Sequence, residues 1–306
     1  MKPEENMESR QNVAALGVFD GVHLGHRRVL AQAVAMGRCN VVTFAEETMP
    51  EKQGRSMRYI YHDEQKRRLL TTCGADAVFA LPFGEMRGMD GETFCREILR
   101  DQLAVEQVVC GDDFRFGRRA ACGPEELQRY GRKFGFGVKL VKHVLDENRL
   151  PVSSRHIRFL LESGQITAAN RLLGADYQLL LHVVTGRALG RELGVPTANQ
   201  LFEPWQIVPH YGVYASFAEI NDIWVPAITN IGIRPTVTGG PAEPVAETHL
   251  IDWSGELVGT LLPVTLVKFL RPEQRFDSVE ELTLQMRRDI QTRKRLLPAE
   301  GKLSQD

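Results

Sequence analysis

The chain has 306 residues and a formal net charge of −1, so its overall charge exerts no pull toward nucleic acid or a membrane surface. Its 43% hydrophobic and 25% charged content is that of a globular protein long enough for two cores. No apolar run approaches membrane-spanning length, and Met1 to Asn12 are polar and charged, unlike a signal peptide.

In chain order, residues 13–19 read as a buried strand and 27–36 as a helix, on which Val29, Leu30, Ala33 and Val34 recur at helical spacing. Between them runs Leu16-Gly17-Val18-Phe19-Asp20-Gly21-Val22-His23-Leu24-Gly25-His26. Both histidines fall where a strand hands over to a helix N-terminus, whose unpaired N–H groups and dipole suit phosphate. Gly25 admits a ligand close to the backbone, and each imidazole can donate a hydrogen bond to a phosphate oxygen. Strands are expected over 39–44, 76–81, 105–110 and 138–144, and helices over 63–72, 92–101 and 124–133. This alternation predicts an α/β unit with a mainly parallel sheet covered on both faces and ligands beyond the strands' C-terminal ends. Gly111-Asp112-Asp113-Phe114-Arg115-Phe116-Gly117 also follows a strand, so it is expected at the same rim as the histidines. Phe114 and Phe116 can contact a flat ring, and Arg115, Arg118 and Arg119 can attract phosphate; a solvated surface loop is equally open on the residues alone. In Val152-Ser153-Ser154-Arg155-His156-Ile157-Arg158 the serines are most simply a helix cap.

Helices over 154–162 and 167–173 close this half, with a boundary expected at Gly174-Ala175-Asp176. Beyond it, runs rich in β-branched and aromatic residues at 179–184, 211–218, 224–231, 247–251 and 262–269 predict a small antiparallel β-barrel. One C-terminal helix follows, with Ser278 and Glu281 as a capping box and Leu282, Met286 and Ile290 as its buried stripe. Gly186-Arg187-Ala188-Leu189-Gly190-Arg191-Glu192-Leu193-Gly194-Val195 precedes Pro196-Thr197-Ala198-Asn199, read as a rigid turn. Glycine N–H groups can wrap phosphate, and the Thr197 hydroxyl and Asn199 amide oxygen are hard ligands suited to Mg²⁺. An ordinary Gly-rich barrel loop is the simpler reading of those residues alone, and no Walker-type G-K-[ST] is present. The five cysteines, Cys39, Cys73, Cys95, Cys110 and Cys122, are scattered without C-x-x-C spacing, which points to reduced thiols in the cytoplasm.

The first motif resembles the nucleotide-binding signature of the HIGH-type nucleotidylyltransferases. Its longer form, G-V-F-D-G-V-H-L-G-H, resembles the bifunctional bacterial riboflavin kinase/FMN adenylyltransferase family. Further similarities follow in order: G-D-D-F-R-F-G; V-S-S-R-H-I-R; the glycine-rich stretch ending P-T-A-N; Gly212-Val213-Tyr214; Asn230 to Thr236; Glu247-Thr248-His249-Leu250-Ile251-Asp252; and Phe269-Leu270-Arg271-Pro272-Glu273. The resemblance covers nearly the whole chain. It implies a Rossmann-like nucleotidylyltransferase domain over 1–175 and a riboflavin kinase barrel over 176–306. It implies ATP, riboflavin and FMN as substrates and Mg²⁺ as cofactor, while the charge and the lack of a long apolar run give the expectation of no nucleic acid or membrane partner. Glu247 becomes the base for the ribityl hydroxyl, and His23, His26 and Arg158 the groups that stabilise the triphosphate. Gly17, Phe19, Asp20, Gly25, Ser153, Ser154, Gly186, Gly190, Arg191, Gly194 and Pro196 become nucleotide-binding. Asp113, Phe114, Phe116 and Arg271 become flavin-binding, and Thr197 and Asn199 hold the metal. Arg155 stands where the family has Thr, and Ala45 to Met49 lack the family's usual histidine. These departures frame two alternatives: a riboflavin kinase with a degenerate first domain and, more distantly, a non-enzymatic flavin-binding regulator.

Overall fold

The computed structural model describes residues 10–45, 58–186, 197–234 and 243–296. The chain divides into two compact units, Met1–Ser154 and Arg155–Asp306.

The first unit is a five-stranded sheet in the order β3-β2-β1-β4-β5, with every neighbouring pair parallel. The strands are β1 (Asn12–Leu16), β2 (Arg38–Phe44), β3 (Ala77–Leu81), β4 (Gln107–Gly111) and β5 (Gly137–Val141). The helices are α1 (Leu24–Met36), α2 (Asp63–Thr72), the short α3 (Phe83–Met86) and α4 (Gly91–Thr93), and α5 (Pro124–Phe134). The helix expected over 92–101 is α4 running into a wider-turned stretch, Phe94–Gln102. Strand alternation sends Val13 and Ala15 to a core shared with Leu30 and Leu70, and Ala14 and Leu16 to one shared with Leu99 and Leu127. Both faces are therefore covered. From β1 the chain winds outward through β2 and β3, then returns to β4 on the other side of β1. The crevice between the C-terminal ends of β1 and β4 is the topological switch point, where such sheets bind ligands.

The second unit opens with α6 (Ser154–Glu162) and α7 (Ile166–Leu173). The boundary expected at 175/176 lies at the end of this pair, whereas the division by compactness lies at its start. Asn170 of α7 ties the pair to the barrel: its amide donates to the Leu266 carbonyl at 3.0 Å and accepts from the Tyr177 N–H at 2.9 Å. The barrel is closed in the order β10-β7-β6-β11-β8-β9. Its strands are β6 (Tyr177–Val184), β7 (Thr197–Leu201), β8 (Gly212–Ile220), β9 (Ile223–Arg234), β10 (Glu243–Leu250) and β11 (Leu261–Arg271). The P-T-A-N turn is thus corrected: Thr197, Ala198 and Asn199 begin a strand. Asn and Gln are poor strand formers, but Gln200 is fully buried and donates to the Leu181 and Leu262 carbonyls, so tertiary bonding overrides propensity.

The C-terminal helix α8 (Val279–Leu296) lies against the barrel, with the expected cap bond from the Glu281 N–H to Ser278 Oγ at 3.2 Å. Its stripe differs from expectation. Leu282, Met286 and Ile290 are half-buried and line a cavity, while the buried side chains are polar, Asp289 and Arg293. The Arg293 guanidinium sits 4.4 Å over the Phe217 ring, a cation–π contact that anchors the helix.

Candidate active sites

In the α/β unit the turn after β1 puts Phe19 (φ 54°), Gly21 (φ 82°) and Val22 (φ 42°) in the left-handed region. For a β-branched residue such as Val22 this is a strained conformation, held here by full burial. The turn delivers His23 to the N-cap of α1, a role that helix-capping rules based on Ser, Thr, Asp and Asn do not anticipate. His23 Nδ1 accepts from the His26 N–H at 3.4 Å, which leaves Nε2 of the neutral ring as the donor. The two imidazoles stack at 3.6 Å with an interplanar angle of 15°. Burial lowers the His23 pKa from 6.5 to about 4. Burial, then the charges of His23 and Lys66, push His26 well below its ordinary value. Both rings are therefore neutral donors at pH 7. His26 Nδ1 is buried without a hydrogen-bond partner among the described residues, and the first turn of α1 carries no acid to compete for an anion. Gly25 is needed for space: a Cβ would lie 3.1 Å from the His23 ring.

Around this core, Gly17 lies under Phe19, whose ring its Cβ would meet at 3.1 Å, and Phe19 meets His26 edge-on at 5.2 Å. The buried Asp20 carboxylate accepts from the Ile60 N–H at 2.9 Å, and its carbonyl accepts from Ser154 Oγ at 2.8 Å. Ser154 thus braces the histidine turn. Ser153 is half-buried beside it. Arg158 is one turn along α6, on the same helix face as Ser154, and Arg155 is exposed.

The 111–117 loop leaves β4, so it flanks the switch point opposite the histidine turn. Phe116 is core, and Phe114 stacks on it at 5.8 Å, half-exposed. Asp113 is exposed; Asp112 pairs with His143 at 3.1 Å. Arg115 Nη1 would lie 2.7 Å from a Cβ at Gly123, which places its guanidinium over the start of α5, while Arg118 and Arg119 are exposed.

In the barrel unit, register builds the site. Glu247 on β10 pairs with Asn199 on β7 and with Asn230 on β9, forming one row across three strands. The next row is Thr197, His249 and Ile228. The opposite face of the same strands is the barrel interior, where Thr229 and Thr248, with Ser216 of the adjoining β8, are fully buried and joined by hydroxyl contacts of 2.9 and 3.0 Å. Both site rows line a cavity of about 820 Å³, together with Gly186, Arg271, Glu273 and the α8 stripe. That is enough for a drug-sized ligand. Asn199 Nδ2 donates to the Thr197 carbonyl at 3.2 Å, which leaves its amide oxygen as the atom for a cation. A Cβ at Gly186 would collide with the Asn199 amide. Gly190, Arg191, Gly194 and Pro196 lie outside the described residues, as do Glu46 to Met49.

Four further residues join these sites without having been expected there. Lys66 of α2 is buried, bonds Asp63 at 3.0 Å and depresses the pKa of His26. Asn230 and His249 enter through register, and Asp289 through its bonds to Arg271. Only Asn230 and His249 left a signal, as members of the strand motifs around Glu247.

The two units together define a class: a doubly wound nucleotidylyltransferase fold with a histidine turn at its switch point, followed by a barrel kinase with a flavin-sized cavity. A family model described as FAD synthetase matches residues 5–156, and one described as riboflavin kinase matches residues 173–297. The bifunctional riboflavin kinase/FMN adenylyltransferase of Pseudomonas fluorescens is 35% identical over 298 residues, covering 92% of each chain. Its Escherichia coli K12 counterpart is 33% identical over 285 residues, covering 90% of each. The chain belongs to the bifunctional riboflavin kinase/FMN adenylyltransferase family. A solved structure described as a macrolide-efflux protein from Streptococcus pneumoniae superimposes at a TM-score of 0.81 with 26% identity, covering 97% of this chain and 99% of that one. Among the described residues no helix is long and apolar enough to cross a membrane.

Proposed function

We infer that the protein makes flavin cofactors in two steps: ATP phosphorylates riboflavin to FMN, and a second ATP adenylylates FMN to FAD with release of pyrophosphate. The observation that carries this reading is the match of one family model to each half, 5–156 and 173–297, over sites built from different chemistry. We assign the adenylyltransferase to residues 1–175 and the kinase to 176–306, and place the protein in the cytoplasm, consistent with its free cysteines.

In the kinase step Glu247 takes the proton of the ribityl hydroxyl, whose oxygen attacks the γ-phosphorus while ADP leaves. The oxygens of Thr197 and Asn199, two residues apart on one strand face, suit Mg²⁺. When bound, Mg²⁺ neutralises charge on the transferring phosphoryl group. The half-exposed Phe114 and the cavity residue Arg271 contact flavin in their respective sites, with Asp113 at the first and Phe116 supporting Phe114 from the core. In the adenylyl step an FMN phosphate oxygen attacks the α-phosphorus. Neutral His23 and His26, with Arg158, donate to the leaving pyrophosphate, and Gly17, Phe19, Asp20, Gly25, Ser153 and Ser154 shape the nucleotide site. Gly186, Gly190, Arg191, Gly194 and Pro196 cradle the kinase nucleotide.

A chromatographic time course with riboflavin, ATP and Mg²⁺, repeated from FMN, tests the reading. FMN followed by FAD is expected. FMN alone from the first mixture, and no FAD from the second, would reduce the protein to a kinase; binding without turnover would make it a flavin-binding regulator.

A further inference from the structure

We propose that Asp289 of α8 is a positioning residue for the flavin, holding the Arg271 guanidinium as a charge-balanced hydrogen-bonding fork in the barrel cavity. The proposal rests on the riboflavin kinase reading of that cavity. Arg271 and Asp289 both line it. Arg271 Nε donates to the two Asp289 oxygens at 3.1 and 3.0 Å, and Nη2 donates to one of them at 2.8 Å. Asp289 is 6% exposed, and Gln285 Nε2 donates to it at 2.9 Å, fixing the carboxylate from its own helix. Arg271 Nη1 donates to the Pro272 carbonyl at 3.0 Å, and the Phe276 ring lies 5.9 Å from the guanidinium carbon.

A guanidinium has five N–H donors in one plane. The bonds to Asp289 and Pro272 engage Nε, one donor of Nη2 and one of Nη1. One N–H then remains on each terminal nitrogen, side by side, matching two adjacent acceptors. An oxidised isoalloxazine offers two such edges: N1 with the C2 carbonyl, and N5 with the C4 carbonyl. Charge balance matters as much as geometry. A lone guanidinium in a kinase cavity would attract the phosphates of ATP, whereas one paired to a buried carboxylate keeps its directional donors with little net charge. That suits an uncharged ring.

The competing account is that the pair only pins α8 to the end of β11. Steady-state kinetics on the full-length protein separates the two, and wild-type turnover of riboflavin first tests the underlying reading by itself. Asp289→Ala is expected to raise the riboflavin KM about tenfold, the effect of one charge-assisted bond, with kcat and the ATP KM close to wild type. The Arg271→Ala/Asp289→Ala double variant should be no worse than Arg271→Ala. Wild type should discriminate against either 1-deazariboflavin or 5-deazariboflavin, each lacking one ring acceptor, and Asp289→Ala should lose that discrimination. Asp289→Asn, which keeps the shape and one acceptor oxygen, should fall between wild type and Asp289→Ala, and carries the comparison if the alanine variant does not fold. A lowered thermal midpoint with riboflavin KM and analogue discrimination unchanged, or additive losses in the double variant, would overturn the proposal.

Discussion

The two candidate sites are built by opposite means. In the barrel, strand register places the groups: Asn199, Glu247 and Asn230 share a row because β7, β10 and β9 are hydrogen-bonded neighbours. In the α/β unit, a strained turn and two buried, stacked imidazoles place them. The first design fixes geometry through many backbone bonds spread over a sheet. The second concentrates it in a few residues whose positions depend on burial. Substitutions in the barrel site should therefore act through chemistry with little loss of fold, whereas those at the histidine turn should affect chemistry and stability together.

The largest expected effect sharpens this contrast. Glu247→Gln keeps size and polarity on β10 but removes the base, so FMN formation should fall by ~10²–10⁴-fold. FAD formation from supplied FMN and the thermal midpoint should stay near wild type. Retained phosphorylation would remove Glu247 from its role.

The next prediction concerns pH. His23 is displaced from 6.5 to about 4 in the folded protein, so the unfolded chain binds a proton between these values that the folded chain refuses. The stability this confers is complete above about pH 6.5 and is lost as pH falls to about 4. It is worth roughly 3 kcal/mol, and His26 acts in the same direction. Thermal melts from pH 7 to 4 should show the loss, and His23→Gln should flatten the dependence. A slope unchanged by that substitution would mean that the ring is not excluded from protonation. A smaller effect, ~10²-fold on FAD formation with FMN formation spared, is expected for His26→Ala. Equal loss of both rates would defeat the two-site assignment.

The same contrast explains what the sequence revealed. The ends of α2 and α6 follow the predicted helices because Asp63, Glu64 and Gly74 mark one and the Ile157–Leu161 periodicity marks the other. The histidine turn was legible as a motif because its residues are contiguous. Asn230 and His249 stood in strand motifs, but only the register of β9, β10 and β7 sets Asn230 in the Glu247 row and His249 beside Thr197. Lys66 and Asp289 stand among other charged residues in Asp63-Glu64-Gln65-Lys66-Arg67-Arg68 and Arg287-Arg288-Asp289, so composition alone marks both as solvated. Their burial is a tertiary fact. β7 was missed for a related reason: Thr-Ala-Asn-Gln becomes a strand because the barrel takes the Gln200 amide N–H groups onto the Leu181 and Leu262 carbonyls.

The finest test of the contrast compares two glycines, one in each site. At Gly186 a Cβ would collide with the Asn199 amide, itself held on β7 and bonded to the Thr197 carbonyl. The strand cannot yield without disturbing its pairing to β6 and β10, so the amide must rotate and its oxygen leaves the cation position. Gly186→Ala should therefore weaken the Mg²⁺ dependence of FMN formation, raising the half-saturating Mg²⁺ about tenfold, the effect of ~1.4 kcal/mol at one ligand. At Gly25 the Cβ would meet the His23 ring at 3.1 Å, a distance relieved by a few tenths of an ångström of ring movement. That movement stretches a His23–His26 bond already at 3.4 Å, so Gly25→Ala should lower FAD formation only a few-fold, by less than about 1 kcal/mol. If Gly25→Ala proved the more damaging of the two, the histidine turn would be the rigid site and the strand row the adaptable one, reversing the comparison.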